Sequence, residues 1–316
     1  MFRKILAIAI AICVPLAFVG CGGAETKKDD KKISIVTSIF PPYDFAKQIV
    51  GDFADVSMLL PPGGDSHSFE PSIKDMAKIG EADVFIYVGG ESDVWVNRVL
   101  SSVDTSKTKI ITLMDCAQVV EEEIKEGMTA EEEHSGHEEH EPEYDEHVWT
   151  SPRNAVLIIE KITGALLNLD ENSSEYSKNK VDYIDKLMEI DREFTDIVSN
   201  SKRKTLVFGD RFPFRYFTDA YGLDYFAAFP GCSDDTEPSI KTISFLIDKV
   251  KAENIPIVFH AEMGNVKMAT TIATDSGAEV RQFHACHNIS KDEFAAGISY
   301  IEVMKENAEV LKEALN

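Results

Sequence analysis

ISIVTSIFPPYDFAKQIVGDFADVSMLL, residues 33–60, decides the fold. Ile33–Thr37 is a short apolar run rich in β-branched residues and reads as a strand. Tyr43–Val50 reads as a helix, and Val56–Leu60 as the next strand. The alternation continues with a helix at Ser72–Glu81, a strand at Asp83–Val88, a helix at Ser92–Ser101 and a strand at Lys109–Leu113. Strands that alternate with helices imply βαβ units, and continuous apolar strands imply a parallel sheet covered on both faces.

The second half follows the same scheme. Strands are expected at Thr205–Phe208, Tyr225–Phe229, Pro256–Phe259 and Glu279–Phe283. Helices are expected near Phe214–Tyr221 and at Ser239–Glu253 and Val266–Ser276, with one long closing helix over Lys291–Leu315. No close sequence repeat links the halves; their likeness is architectural. Between them, Ala155, Ile158, Ile159, Ile162 and Leu166 recur at helical spacing. After a polar break at Asp170–Ser174, the pattern resumes from Tyr176 to Val198 as a long helix. The expected fold is α/β: two lobes, each a parallel four-stranded sheet flanked by helices, joined by one long rigid helix. The divisions are a signal peptide (1–20), a tether (21–32), an N-terminal lobe (33–150), a helical connector (151–201) and a C-terminal lobe (202–316). An acidic histidine-rich loop occupies 121–146.

The N-terminus gives the address. A cationic start, Arg3-Lys4, precedes an apolar run from Ile5 to Phe18 that is too short to span a bilayer, so it reads as a secretory signal. Gly20-Cys21-Gly22 resembles a lipobox, with Cys21 as the lipid-bearing first residue of the mature chain. The location expected is the outer face of the cytoplasmic membrane. The formal charge is −23, and removing residues 1–20 takes away Arg3 and Lys4 to leave −25. Such a surface argues against nucleic acid as a partner and suits a protein that attracts cations. Beyond Cys13 and Cys21, Cys116, Cys232 and Cys286 remain. That number is odd, so one is unpaired or all are reduced.

Eight histidines are present. His134, His137 and His140 lie in EEEHSGHEEHEPEYDEH (131–147), which His147 closes. Imidazole and carboxylate are the donors that borderline divalent metals take. Other candidates fall beyond the carboxyl ends of strands, where open parallel sheets bind ligands. These are His67 in the loop PPGGDSH, Asp210 after the Thr205–Phe208 strand, Glu262 after Phe259, and His284 with His287 three residues on. Each has a plainer reading: His67 as a surface histidine, Asp210 as a helix cap, His260 as a packed residue, His287 as a residue that orients a neighbour, and the histidine tract as a solvated acidic loop. Neither HExxH nor GxSxG occurs, which weighs against a zinc or serine hydrolase.

With PPGGDSHSFEPS (61–72), DEHVWTSPRNA (145–155), FGDRFPFRYFTDAYGLDY (208–225), TEPSIKTISFLIDKVKAENI (236–255) and GISYIEVMKEN (297–307), the mature chain resembles the metal-binding lipoproteins of ABC importers. These are the solute-binding proteins that include zinc- and manganese-specific members. The resemblance implies a non-enzymatic, monomeric carrier anchored to the membrane by lipid, working with an ABC permease and its ATPase. It implies a metal shell of His67, His147, Asp210 and His284, with His287 and Glu262 as rivals for the last place. Aspartate at the third position departs from the family's usual His or Glu. His134, His137 and His140 become auxiliary binders, and the cargo is Zn²⁺ rather than Mn²⁺. A Cys232–Cys286 disulfide is implied too, and would contribute ~4 kcal/mol in the chain-entropy picture. A manganese importer component, a secreted zinc hydrolase and an adhesin with a structural metal are the alternative readings.

Overall fold

The computed structural model describes residues 32–66, 68–129, 143–231, 237–264 and 266–316. Strands β1 (Ser34–Thr37), β2 (Asp55–Met58), β3 (Val84–Tyr87) and β4 (Lys109–Thr112) form one parallel sheet in the order β2-β1-β3-β4. Val84, Phe85 and Ile86 are buried one after another, because helices cover both faces of the sheet. That cover comes from α1 (Phe40–Val50), α2 (Ile73–Glu81) and α3 (Val94–Ser102). α1 starts three residues before the predicted Tyr43. Pro41 and Pro42 occupy its first turn, where the missing N–H groups have no helical partner to lose.

The second sheet holds β5 (Thr205–Phe212), β6 (Asp224–Pro230), β7 (Ile257–His260) and β8 (Glu279–Gln282) in the order β6-β5-β7-β8. This repeats the first sheet strand for strand. α6 (Arg215–Tyr221), α7 (Ile240–Glu253) and α8 (Val266–Ser276) flank it. β5 runs past the predicted Phe208 to Phe212, with a break in register between Phe208 and Arg211. The predicted closing helix is two: α9 (Lys291–Ala296) ends at Gly297 in the left-handed region, and α10 (Tyr300–Leu315) restarts there. Ser299 and Glu302 close a capping box that fixes the new start.

The connector is a pair of packed helices, α4 (Pro152–Leu166) and α5 (Ser173–Ser199). α5 is about 40 Å long at 1.5 Å per residue. It packs on α1 of the first half and on α6 and α10 of the second. Arg153 donates to Asp191 at 2.7 Å, and Tyr221 donates to the same oxygen at 3.0 Å, tying α4, α5 and α6 together. One apolar cluster runs unbroken from Ile35 and Ile86 through Ile158, Leu187 and Phe194 to Phe208, Phe259 and Leu311. Residues Lys32–Asn316 accordingly form one compact unit. Wide opening between the sheets would expose that shared core, so the frame is stiff. Among the described residues, no helix is long and apolar enough to cross a membrane.

Candidate metal centre

In each sheet the strand order reverses direction beside the first strand, between β1 and β3 and between β5 and β7. Crevices open at such points beyond the carboxyl ends of the strands. The candidate ligands lie there. A cleft of about 50 Å³ is lined by Gly64, Asp65 and Ser66 from the loop after β2, and by Asp210, Glu262 and His287 from the second sheet. It is far smaller than the roughly 300–1,000 Å³ that organic ligands occupy. Asp65, Asp210 and Glu262 outnumber the one guanidinium on its wall, Arg211, so the field favours a cation.

His147 reaches this region on an arm. Glu121 and Tyr144 form an antiparallel bridge, Glu122 N–H donates to Glu143 C=O at 2.9 Å, and Asp145 N–H donates to Val120 C=O at 3.0 Å. Tyr216 of α6 donates to Asp145 C=O at 2.6 Å and accepts from Val120 N–H at 3.3 Å, clipping both strands of the arm. Asp145 then accepts from both the backbone N–H of His147 (2.8 Å) and its Nδ1 (3.0 Å). Trp149 donates to Ala285 C=O, and Tyr300 donates to Trp149 C=O, each at 2.7 Å. Asp145, Glu146 and His147 are all buried. The residues that lead into His147 are therefore packed, while the histidine tract itself, read as a solvated acidic loop, lies outside the described residues. Burial disfavours a charged His147, but Asp145 outweighs it, and Glu146 and Glu122 add to that, so the imidazole is held above its usual value.

His287 is the second histidine at the cleft. Its ring lies 4.7 Å from that of His147, edge to face. Glu262 holds it in the same manner as Asp145 holds His147, accepting from His287 N–H at 2.7 Å and Nδ1 at 3.2 Å. The other Glu262 oxygen accepts from Ala285 N–H at 2.6 Å. Burial would raise this carboxyl, yet His284, His287 and the Ala285 amide together bring it down to about 2. When Nδ1 donates to a carboxylate, the neutral imidazole presents its lone pair at Nε2, the form a metal requires.

Asp210 sits inside β5 at the register break, not after the strand as the sequence suggested. A bulge of this kind re-aims a side chain. Its oxygens accept from the amides of Arg211 (2.9 Å) and Ala261 (3.1 Å), and the following helix α6 is capped at Phe214 instead. Burial raises its carboxyl, partly offset by those amides. Gly264 closes over it: a Cβ there would stand 1.8 Å from Asp210 Oδ2. Gly231 similarly faces His147, with a Cβ meeting its ring at 3.1 Å.

His284 is placed differently. It is buried behind Glu262 at 3.5 Å, its Nδ1 accepts from the Cys286 amide at 2.9 Å, and it does not line the cleft. His260 turns its Nδ1 to Ala261 C=O at 2.8 Å, as a packed residue would. Three non-glycine residues have positive φ among the described residues, and two of them, Met263 (58°) and Cys286 (65°), adjoin Glu262 and His287. Strained backbone of this sort gathers at functional turns. Cys286 carries a free thiol whose pKa burial pushes well up, and Cys116 is also free. Cys232, expected as the partner of Cys286, lies outside the described residues, as do Cys21, His67, His134, His137 and His140. Among the described residues, no three His, Cys, Asp or Glu side chains form a metal shell by themselves.

Sequence reasoning passed over Asn288. It is buried, and its Nδ2 donates to Pro61 C=O and Gly64 C=O, both at 2.8 Å, while Gly63 N–H donates to Ile289 C=O at 2.8 Å. The loop that precedes His67 is thereby latched to the second lobe. Only its place next to His287 could have hinted at this.

A family model described as "ZnuA: Zinc-uptake complex component A periplasmic" matches residues 35–314. The zinc-binding lipoprotein AdcA of Streptococcus pneumoniae is 32% identical over 313 residues, 98% of this chain and 61% of that protein. The chain thus spans about three fifths of the length of the streptococcal relatives it matches. The high-affinity zinc uptake system protein ZnuA of Bacillus subtilis is 31% identical over 322 residues, 100% of this chain and 99% of that one. The crystal structure of the Zn(II)-bound ZnuA-like domain of S. pneumoniae AdcA aligns with a TM-score of 0.73 at 30% identity, covering 90% of this chain and 99% of that one.

Proposed function

We propose, from the premise that this chain belongs to the family of periplasmic zinc-uptake complex component A proteins, that it captures Zn²⁺ in the cleft and hands it to an ABC permease. The observation that carries this reading is the pair of facing imidazoles, His147 and His287, each fixed through Nδ1 by its own buried carboxylate. The ligand set we favour is His67, His147, His287 and Asp210. His287 replaces the sequence's first choice, His284, because His287 lines the cleft and His284 stands behind Glu262. Three nitrogens and one carboxylate suit tetrahedral zinc, whereas manganese prefers more oxygen. The zinc-named relatives support the same metal. Lipidation at Cys21 would keep the carrier beside its permease and ATPase. His134, His137 and His140 would collect zinc at modest affinity near the arm that ends in His147.

The test is calorimetric titration of the purified chain with zinc and with manganese, alongside the variant His147→Ala/His287→Ala. Four ligands share roughly 10–16 kcal/mol in tight zinc sites, so losing two removes tight binding altogether. Zinc binding by the double variant at the parent's affinity would refute the site. Tight manganese binding with weak zinc binding would move the cargo to manganese.

A further inference from the structure

The chain contains one pentapeptide twice. Glu70-Pro71-Ser72-Ile73-Lys74 and Glu237-Pro238-Ser239-Ile240-Lys241 are identical, a short repeat that a comparison of whole halves misses. The two copies occupy the same place in their lobes. One follows the edge strand β2 and starts α2; the other follows the edge strand β6 and starts α7. Ser72 and Ser239 cap these helices, accepting from the amides of Asp75 (3.3 Å) and Thr242 (3.1 Å). Each cap places the isoleucine as the first helical residue, pointing away from the protein. Ile73 is 86% exposed and Ile240 87%.

A lone exposed aliphatic residue needs no explanation, but a matched pair does. In a parallel sheet the strands end and the helices begin on the same edge, so both corners flank the cleft. Twelve large apolar residues are exposed among the described residues, and five of them (Ile73, Val94, Ile240, Met263 and Val266) stand on this edge. Isoleucine at a helix's first turn adds nothing to the core of either lobe. Its value lies in contact with something else. Glu70 pairs with the exposed Arg98, at 3.3 Å, and a pair so open to water is weak enough to be exchanged.

We infer that the two Glu-Pro-Ser-Ile-Lys corners are matched docking contacts for a membrane partner built from two copies of one subunit. Each copy would offer the same pocket, apolar for the isoleucine and flanked by a basic group for the glutamate and an acidic group for the lysine. Equivalent corners on lobes of identical strand order ask for equivalent pockets, which two-fold symmetry supplies without a second design. The inference rests on the importer reading and adds to it the residues of each lobe that meet the permease.

Zinc uptake by cells whose own copy is replaced by the wild-type chain, Ile73→Ser, Ile240→Ser or the double variant tests it, with calorimetry of the same purified proteins. Calorimetric zinc affinity stays unchanged in all of them, because neither side chain touches the cleft. Each single substitution lowers uptake by a similar factor, and the double variant falls by about tenfold or more, as loss of central contact residues does. Normal uptake by the double variant, or an effect from only one corner, would overturn the docking proposal alone. If removing the whole chain leaves uptake under zinc limitation intact, the importer reading fails and takes this one with it.

Discussion

The two lobes have the same strand order but contribute unequally to the candidate site. The second lobe places Glu262 and His287 beyond strand ends and Asp210 at the break inside β5, and it also holds His147, which precedes the connector in sequence. Tyr216, Ala285 and Tyr300 all belong to the second half, and all bind the His147 arm. The first lobe contributes the loop Pro61–Ser66, and even this is held across the gap by Asn288. Position in sequence therefore misstates mechanical allegiance. The described part of the cleft is a rigid wall belonging to the second lobe, faced by one latched loop from the first. Metal exchange should then depend on the loop and its latch more than on rotation of one lobe against the other.

The comparison can be strained at several points. Gly264→Ala attacks the wall where it is tightest. A Cβ at 1.8 Å from Asp210 must displace the carboxylate or the turn, and overpacking of this kind costs about 1–3 kcal/mol. Zinc affinity should fall about a hundredfold with a lowered melting temperature; an affinity equal to the parent's would remove Asp210 from the site. Glu262→Gln keeps the shape and removes the charge that orients His287. Calorimetry should show an affinity loss of about 10–100-fold, the usual cost of losing a carboxylate behind a ligating histidine. His284→Ala, on the far side of the same carboxylate, should change zinc affinity much less than His287→Ala, and the reverse order would restore the sequence's original choice. Asn288→Ala releases the first-lobe loop at the loss of two hydrogen bonds, about 1 kcal/mol each. Stopped-flow release of zinc to a chelator should quicken by roughly tenfold with little change in the rate of binding. An unaltered release rate would mean that the loop is not the gate.

The strands and helices were readable from residues 33–60 onward because both signals, apolar runs and helical periodicity, are long and clean there. What escaped the sequence lies where periodicity stops. The bulge in β5 moved Asp210 from after a strand to inside one, and no pattern of apolar residues marks a bulge. The turn after β8 passes through Cys286 at φ 65°, so the alternation that would tell His284 from His287 no longer applies. The break at Gly297 was written in the chain, as glycine followed by the Ser299–Glu302 box, and the strong apolar periodicity around it hid the signal. That the candidate ligands would gather near the strand ends was legible; which of two neighbouring histidines faces the cleft depends on contacts with Glu262, which no local spacing reveals.

The bridge between Glu121 and Tyr144 has a consequence for how this protein can change over generations. It closes the chain at the root of the segment that carries His134, His137 and His140, and the arm that ends in His147 is clamped below that closure by Tyr216. Lengthening a closed excursion is cheap, about 0.6 kcal/mol for each doubling. The segment beyond the bridge can therefore gain, lose or reshuffle histidines while His147 keeps its place. Under the proposed function, selection could tune how the chain meets metal outside the cleft without disturbing the candidate ligands within it.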